Sequence, residues 1–205
     1  MSRALKELSA SAHERVSIFH RPEVGLSAII AVHDTTLGPS LGGCRMRDYT
    51  SLDEALYDAL RLSEGMTYKN SLAGLSIGGG KSVIIADRDM KVGREELFLA
   101  FGECVQSLDG SYITAEDMGT TVADVGVVAR KTKHVSGTDP EAGGGGNPSP
   151  YTARGVFDGI RACIEKIYGS PDLNSRSVAI QGIGAVGGRL AELLAAEGAR
   201  LIISD

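Results

Sequence analysis

A chain of 205 residues, 42% hydrophobic and 23% charged, has the make-up of a globular protein with one large or two small domains. Its net charge of −5, with the basic residues scattered, argues against a nucleic-acid partner, which demands a basic face, and no basic block suggests a membrane surface. No apolar run reaches the ~18 residues of a membrane span, and "MSRALKELSASAHERV" lacks the apolar centre of a signal peptide, so a cytoplasmic protein is expected. Cys44, Cys104 and Cys163 are odd in number and lack metal-ligand spacing, which reads as reduced packing cysteines. The histidines are equally scattered, and no metal site is expected.

In chain order, "ALKELSAS" predicts a short helix. "HERVSIFH" and "LSAIIAVHD" are strand-like and flank the turn "RPEVG", which predicts a hairpin. "GPSLGGCRM" runs from breakers into a further strand. Ser51 and Glu54 have capping-box spacing, and Leu52, Ala55, Leu56, Ala59, Leu60 and Met66 keep helical spacing behind them. "REELFLAFGECVQSL" predicts a second amphipathic helix, "SYITAE" a strand and "TVADVGVVARKT" a third helix. Residues 1–135 thus mix strands and helices with short connections, which predicts one α/β domain.

The stretch 136–150 contains "GTDPEAGGGGNPSP", with five glycines and three prolines, and is expected to be irregular. It suits a flexible linker or a hinge beside a ligand cleft equally well. Residues 151–205 then open with the helix "TARGVFDGIRACIEKIYG" and a βαβ pattern, "SVAIQ", "GIGAVGGRLAELLAAEGA" and "RLIISD". Gly182, Gly184 and Gly187 form G-x-G-x-x-G directly after a strand and before a helix, the pattern of a dinucleotide site. The turn 182–188, with Ile183, Ala185, Val186 and Gly188 between and after these glycines, is expected to face the pyrophosphate at the helix N-terminus. Asp205 suits a ribose hydroxyl and repels a 2′-phosphate, which predicts NAD over NADP. A complete Rossmann fold has about six strands, and this pattern stops after two, so the chain is expected to be a portion of a longer protein or to be completed from elsewhere.

"GLSIGGGKSVII", residues 74–85, imitates a P-loop and fails as one. The pattern requires glycine where Leu75 stands, and Lys81 leads into a β-branched run where a P-loop opens a helix. The expectation is turn, lysine, strand, with Lys81 at the strand entrance and the glycines letting backbone and cofactor crowd it. Burial lowers a lysine pKa, and a fall from ~10.4 towards ~7–8 makes a usable general base. Lys69, in "GMTYKNSLAG", can offer positive charge to a substrate carboxylate, and Asp117, in "AEDMGTT", is placed to shuttle protons.

Taken together, "AVHDTTLGPSLGGCRM", "DALRLSEGMTYKN", "GGGKSVII", "YITAEDMGTT", "GNPSPYTARGV" and "GIGAVGG" resemble the amino acid dehydrogenases of the glutamate/leucine/phenylalanine/valine type, most closely their leucine-acting branch. The resemblance runs from about residue 14 to the end. It implies NAD-dependent oxidative deamination of an amino acid, no metal, and a homo-oligomer. It assigns Lys81 to catalysis on the water and carbonyl, Lys69 to the substrate α-carboxylate and Asp117 to proton relay at the amine. Gly42 and Gly43 correspond to a close backbone approach to substrate, Met66 to a pocket wall and Thr152 to a residue near the nicotinamide. Glutamate-acting relatives have lysine where this chain has Leu41, which implies an aliphatic substrate. A glutamate- or phenylalanine-type sibling, and a non-catalytic fragment acting as a binding module, stand as alternatives.

Overall fold

The computed structural model describes residues 2–86 and 93–205 and divides into two compact units, 1–146 and 147–205. The division falls inside the glycine-rich stretch. Its first part does not run free: the Gly144 and Gly146 amides donate to the carbonyls of Asp139 and Thr138, each at 3.0 Å.

In the first unit, helix α1 (Arg3–Ala10) precedes the hairpin of β1 (Arg15–Arg21) and β2 (Leu26–Asp34). Gly25 closes its turn in the left-handed region. Strand β3 (Ser40–Arg47), helix α2 (Leu52–Leu72), strand β4 (Gly78–Ile85), helix α3 (Arg94–Gln106), strand β5 (Tyr112–Glu116) and helix α4 (Val122–Ala129) follow. The sheet is mixed, with order β1-β2-β4-β3-β5. β2 lies antiparallel to β1 and β4, whereas β3 runs parallel to both β4 and β5. Alternation along the strands feeds two cores. Ile29, Ala31 and Val83 pack on Ala55, Leu56, Ala59 and Leu60 of α2, and Ile30, Val32, Cys44, Met46 and Ile84 pack on Leu97, Phe98 and Phe101 of α3.

Two local expectations change in the first unit. The strand swallows the glycine triplet, so Lys81 stands in mid-strand and not at its entrance. The expected capping box is half formed: Ser51 Oγ accepts from the Glu54 amide at 3.1 Å, but Glu54 Oε2 accepts from Thr50, amide and hydroxyl, at 2.9 and 2.8 Å. The complete box opens α4, where Thr121 and Asp124 satisfy each other.

The second unit comprises α5 (Ser149–Tyr168), β6 (Ser177–Gln181), α6 (Ala185–Ala196) and β7 (Arg200–Ser204), with β6 and β7 parallel. Helix α5 starts earlier than expected because Pro150 lies in its first turn, where a missing N–H costs nothing. Phe157, Leu173, Ile180, Leu190 and Leu194 form its core.

Candidate functional site

Lys81 is buried in the centre of the first unit's sheet, its side chain 5% exposed, and its Nζ lies 3.1 Å from Asp117 Oδ2. Asp117 follows β5 directly. The same Oδ2 accepts from Arg45 Nε at 2.8 Å, while Arg45 Nη1 reaches Asp58 Oδ2 at 3.1 Å and Tyr49 donates its hydroxyl to that Asp58 oxygen at 2.7 Å. A charged chain thus runs from β4 through β5 and β3 to α2.

Its electrostatics are asymmetric. Burial, the largest cause, pushes Lys81 below the ordinary lysine range; Asp117 pulls it back and the Arg45 charge pushes it further down. Burial pushes Asp117 upward, but Lys81 and Arg45 together hold it below the usual carboxylate value. One contact therefore favours the charged acid without rescuing the charged base. Asp117 has two cations and is 26% exposed, whereas Lys81 is almost sealed and shares its anion with a second cation. The arrangement keeps a carboxylate ionised and makes an ammonium ready to lose its proton, which suits acid–base work. Neighbouring Cys44 is inert: burial pushes its thiol up to about 12.

The glycines make room for the protein's own packing. A Cβ on Gly79 would lie 2.5 Å from Thr67 Cα of α2, and one on Gly80 would lie 2.7 Å from both Ser40 Oγ and the Tyr112 ring. The backbone part of the expected crowding is thus supplied by α2 on one face, with the Tyr112 ring of β5 on the other. Gly42 and Gly43 are similar: their Cβ positions collide with the Gly80 and Glu116 carbonyls. Met66 Cγ lies 3.3 Å from the Gly42 position, which brings those two site candidates together. Asn70 Nδ2 donates to the Gly78 carbonyl at 2.6 Å, fastening the end of α2 along β4. Lys69 lies on that fastened turn, exposed, and has no ion-pair partner among the described residues. Leu41 is half-buried between Gly79 and Ile113 of the neighbouring strands.

Several members of the site were given no role by the sequence. Arg45, Asp58 and Tyr49 form the outer half of the charged chain. Beneath it, Tyr112 donates to the Gly42 carbonyl at 2.6 Å and meets Ser82 Oγ at 2.9 Å. The one local hint was Arg45, two residues beyond Gly43, but its partners depend on strand order.

In the second unit, Gly182 has φ +90, the left-handed region. A Cβ on Gly187 would strike the Gly182 carbonyl oxygen and lie 3.0 Å from its carbon, so helix and turn are in direct contact. A Cβ on Gly184 would meet open space, and α6 begins there without a side-chain cap on its first N–H groups. Asp205 Oδ1 accepts from the Ile183 amide at 2.9 Å, so the carboxylate is tied to the turn. Ala185, Val186 and Gly188 form the first turn of α6. Thr152 is exposed on α5, its hydroxyl donating to the Pro148 carbonyl at 3.1 Å.

Residues 13–134 match the family model described as Glu/Leu/Phe/Val dehydrogenase, dimerisation domain. The chain belongs to the Glu/Leu/Phe/Val dehydrogenase family. It is 53% identical over 193 residues to leucine dehydrogenase of Geobacillus stearothermophilus, covering 94% of this chain and 52% of that protein. Valine dehydrogenase of Streptomyces virginiae is 49% identical, with 94% of this chain and 54% of the relative covered. The chain thus spans about half the length of the curated relatives it matches. Among solved structures, L-tryptophan dehydrogenase from Nostoc punctiforme superposes with a TM-score of 0.69 at 40% identity, over 98% of this chain and 56% of that one. Hetero-hexameric glutamate dehydrogenase from Thermus thermophilus gives a TM-score of 0.76 at 21% identity, over 98% and 54%, and shows the fold alone. Within the Glu/Leu/Phe/Val dehydrogenase match lie Lys81, Asp117, Lys69, Arg45 and Asp58; the glycine turn of the second unit lies beyond it.

Proposed function

We propose that this chain carries the substrate and proton chemistry of NAD-dependent oxidative deamination, converting an apolar L-amino acid to its 2-oxo acid and ammonia. The observation that carries the reading is the buried Lys81 ammonium, 3.1 Å from an ionised Asp117. Kinship with leucine and valine dehydrogenases supports the apolar substrate.

Lys69 binds the substrate carboxylate, since it alone of the site's cations is exposed and unpaired among the described residues. Asp117 accepts a proton from the substrate ammonium, which frees the nitrogen lone pair for imine formation. NAD, when bound, supplies the hydride acceptor. Lys81, in its neutral form, then takes a proton from the water that adds to the imine carbon, returns it to the nitrogen, and takes the remaining hydroxyl proton as ammonia leaves, so that the carbonyl remains. A lysine whose pKa is lowered by burial serves these transfers.

The second unit fits a dinucleotide of the Rossmann type. The Gly182 turn, the open space at Gly184, the tight Gly187 packing and the uncapped α6 N-terminus meet its requirements. Ile183 to Gly188 would hold the pyrophosphate, and Asp205, with Oδ1 on the Ile183 amide, would offer Oδ2 to a ribose hydroxyl and disfavour NADP. Thr152 is assigned to the nicotinamide side. The matched family model is described as a dimerisation domain, which supports a homo-oligomer.

The test compares kcat/KM of the full-length protein for leucine, valine and glutamate with NAD, before and after Leu41→Lys. A branched alkyl group gains about 1.5–3 kcal/mol from burial, whereas an unpaired carboxylate beside Leu41 costs several. Leucine or valine is expected to lead, and Leu41→Lys to narrow the gap. Preference of the unmodified protein for glutamate overturns the substrate reading, and absence of NAD-linked turnover overturns the activity.

A further inference from the structure

We propose that Arg45 is the positioning residue of this site, aiming Asp117 at the substrate by clamping one of its carboxylate oxygens and leaving the other free. The turnover readouts below rest on the deamination reading; the titration does not.

Three consecutive β3 residues determine where Asp117 sits. Gly43 makes room for it, because a Cβ there would lie 2.8 Å from Asp117 Cβ. At Cys44 the backbone is tied: Thr120 Oγ1 donates to the Cys44 carbonyl at 2.8 Å and accepts from the Asp117 amide at 2.9 Å. Arg45 then takes the side chain, Nε to Oδ2 at 2.8 Å. Lys81 uses the same oxygen, and among the described residues no donor reaches Oδ1. The remaining lone pairs of the carboxylate therefore lie on one oxygen, the geometry a proton acceptor needs.

Arg45 is itself anchored. Its Nη1 bonds Asp58 of α2, held in turn by Tyr49, and the two side chains are only 17% and 24% exposed. A planar guanidinium offers diverging donors in one rigid group, so it holds two carboxylates from separate elements at a fixed separation, whereas an ammonium is a compact point charge with rotatable donors. The titratable and charged groups facing Asp117 are Lys81 from β4, Arg45 and Cys44 from β3, and Tyr112 and Glu116 from β5, with Asp58 behind Arg45. Arg45 pushes both Asp117 and Lys81 towards their deprotonated forms. Removing its charge therefore moves both titrations to higher pH, which a purely structural arginine would not do.

The experiment measures kcat, KM and the pH dependence of kcat/KM for leucine in the full-length protein and its Arg45→Gln, Arg45→Lys and Asp58→Asn variants. The Asp117 carboxyl is titrated in parallel by carbon NMR, assigned with Asp117→Asn. Arg45→Gln is expected to lose on the order of 10²-fold in kcat, the cost of a misplaced catalytic group. Its KM stays unchanged, while the acid limb and the Asp117 titration move up in pH. Arg45→Lys should keep the limb in place and still lose kcat, as should Asp58→Asn by a smaller factor. A kcat loss in Arg45→Gln with both titrations unmoved overturns the proposal. Should Arg45→Gln not fold, wild-type kcat in both other variants overturns it, and a loss in both with unchanged KM supports it. If the wild-type protein turns over no amino acid, the deamination reading fails, and the Asp117 titration alone decides: upward movement on losing Arg45 supports the clamp, and none overturns it.

Discussion

Replacing Lys81 by methionine is expected to abolish turnover while leaving the protein as stable as before, or more so. At 3.1 Å, the attraction between Lys81 and Asp117 is about 5 kcal/mol at an effective dielectric constant of about 20. Against it stands desolvation of an almost sealed ammonium, several kcal/mol for a buried ion. The lowered pKa of Lys81 says that burial outweighs the attraction, so the charge is a net cost of folding. Methionine keeps the unbranched stem and removes that cost, and Asp117 is not stranded because Arg45 remains 2.8 Å away. The change in stability should lie within about 1 kcal/mol of zero, or roughly 2–4 °C in Tm. Asp117→Ala is the informative contrast, since it leaves two cations without an intervening anion. Breaking a buried pair in that way costs about 3 kcal/mol or more, a Tm fall on the order of 6–12 °C. The sign of the pH dependence follows. Between the lowered folded pKa and the ordinary ~10.4 of lysine, the unfolded chain holds the extra proton, so stability rises with pH. That rise should be missing in Lys81→Met. Calorimetry of the three proteins across alkaline pH is the assay, with turnover measured in parallel and a loss of about 10²–10⁴-fold expected. A Tm fall for Lys81→Met as large as that for Asp117→Ala would refute the reasoning and make the lysine a structural ion.

Gly79→Ala forces a methyl against the α2 backbone, 2.5 Å from Thr67 Cα, and should destabilise by about 1–3 kcal/mol; denaturant unfolding checks it, and an unchanged midpoint would show that α2 yields. Gly187→Ala pushes α6 off the Gly182 carbonyl, and is expected to weaken NAD binding by calorimetric titration while leaving the lysine titration of the first unit unmoved. Thr121→Ala removes the cap of α4, with a loss of about 1 kcal/mol measured as a lower Tm. Burial pushes Asp124 up, but Arg94 and Thr121 hold its pKa below the usual value. The stability it contributes is therefore present above the ordinary carboxylate range and lost as pH falls through the depressed value. Asp124→Asn should flatten that acid-side loss in a pH series of melts.

Much of this protein was legible because its signals are local. The hairpin at "RPEVG", the cap at Ser51, the strand–turn–helix of Gly182 to Gly187 and the chemical types of Lys81 and Asp117 each depend on residues a few positions apart. Such features repeat with the period of a helix or strand, or close a turn of one or two peptide units, and a one-dimensional pattern records them. Tertiary structure decided the rest. "GGGKS" reads as a turn because glycine is permissive there, yet Gly79 and Gly80 lie inside a strand, since Thr67 and Tyr112 crowd it from opposite faces. Arg45 and Asp117 are 72 positions apart and meet only because β3 pairs in parallel with both β4 and β5. That strand order arises from burying two apolar faces at once, under α2 and under α3 and α4. Whether Lys81 is a solvated lysine or a buried base is settled by the same packing, because its pKa responds to the water that the neighbouring elements displace.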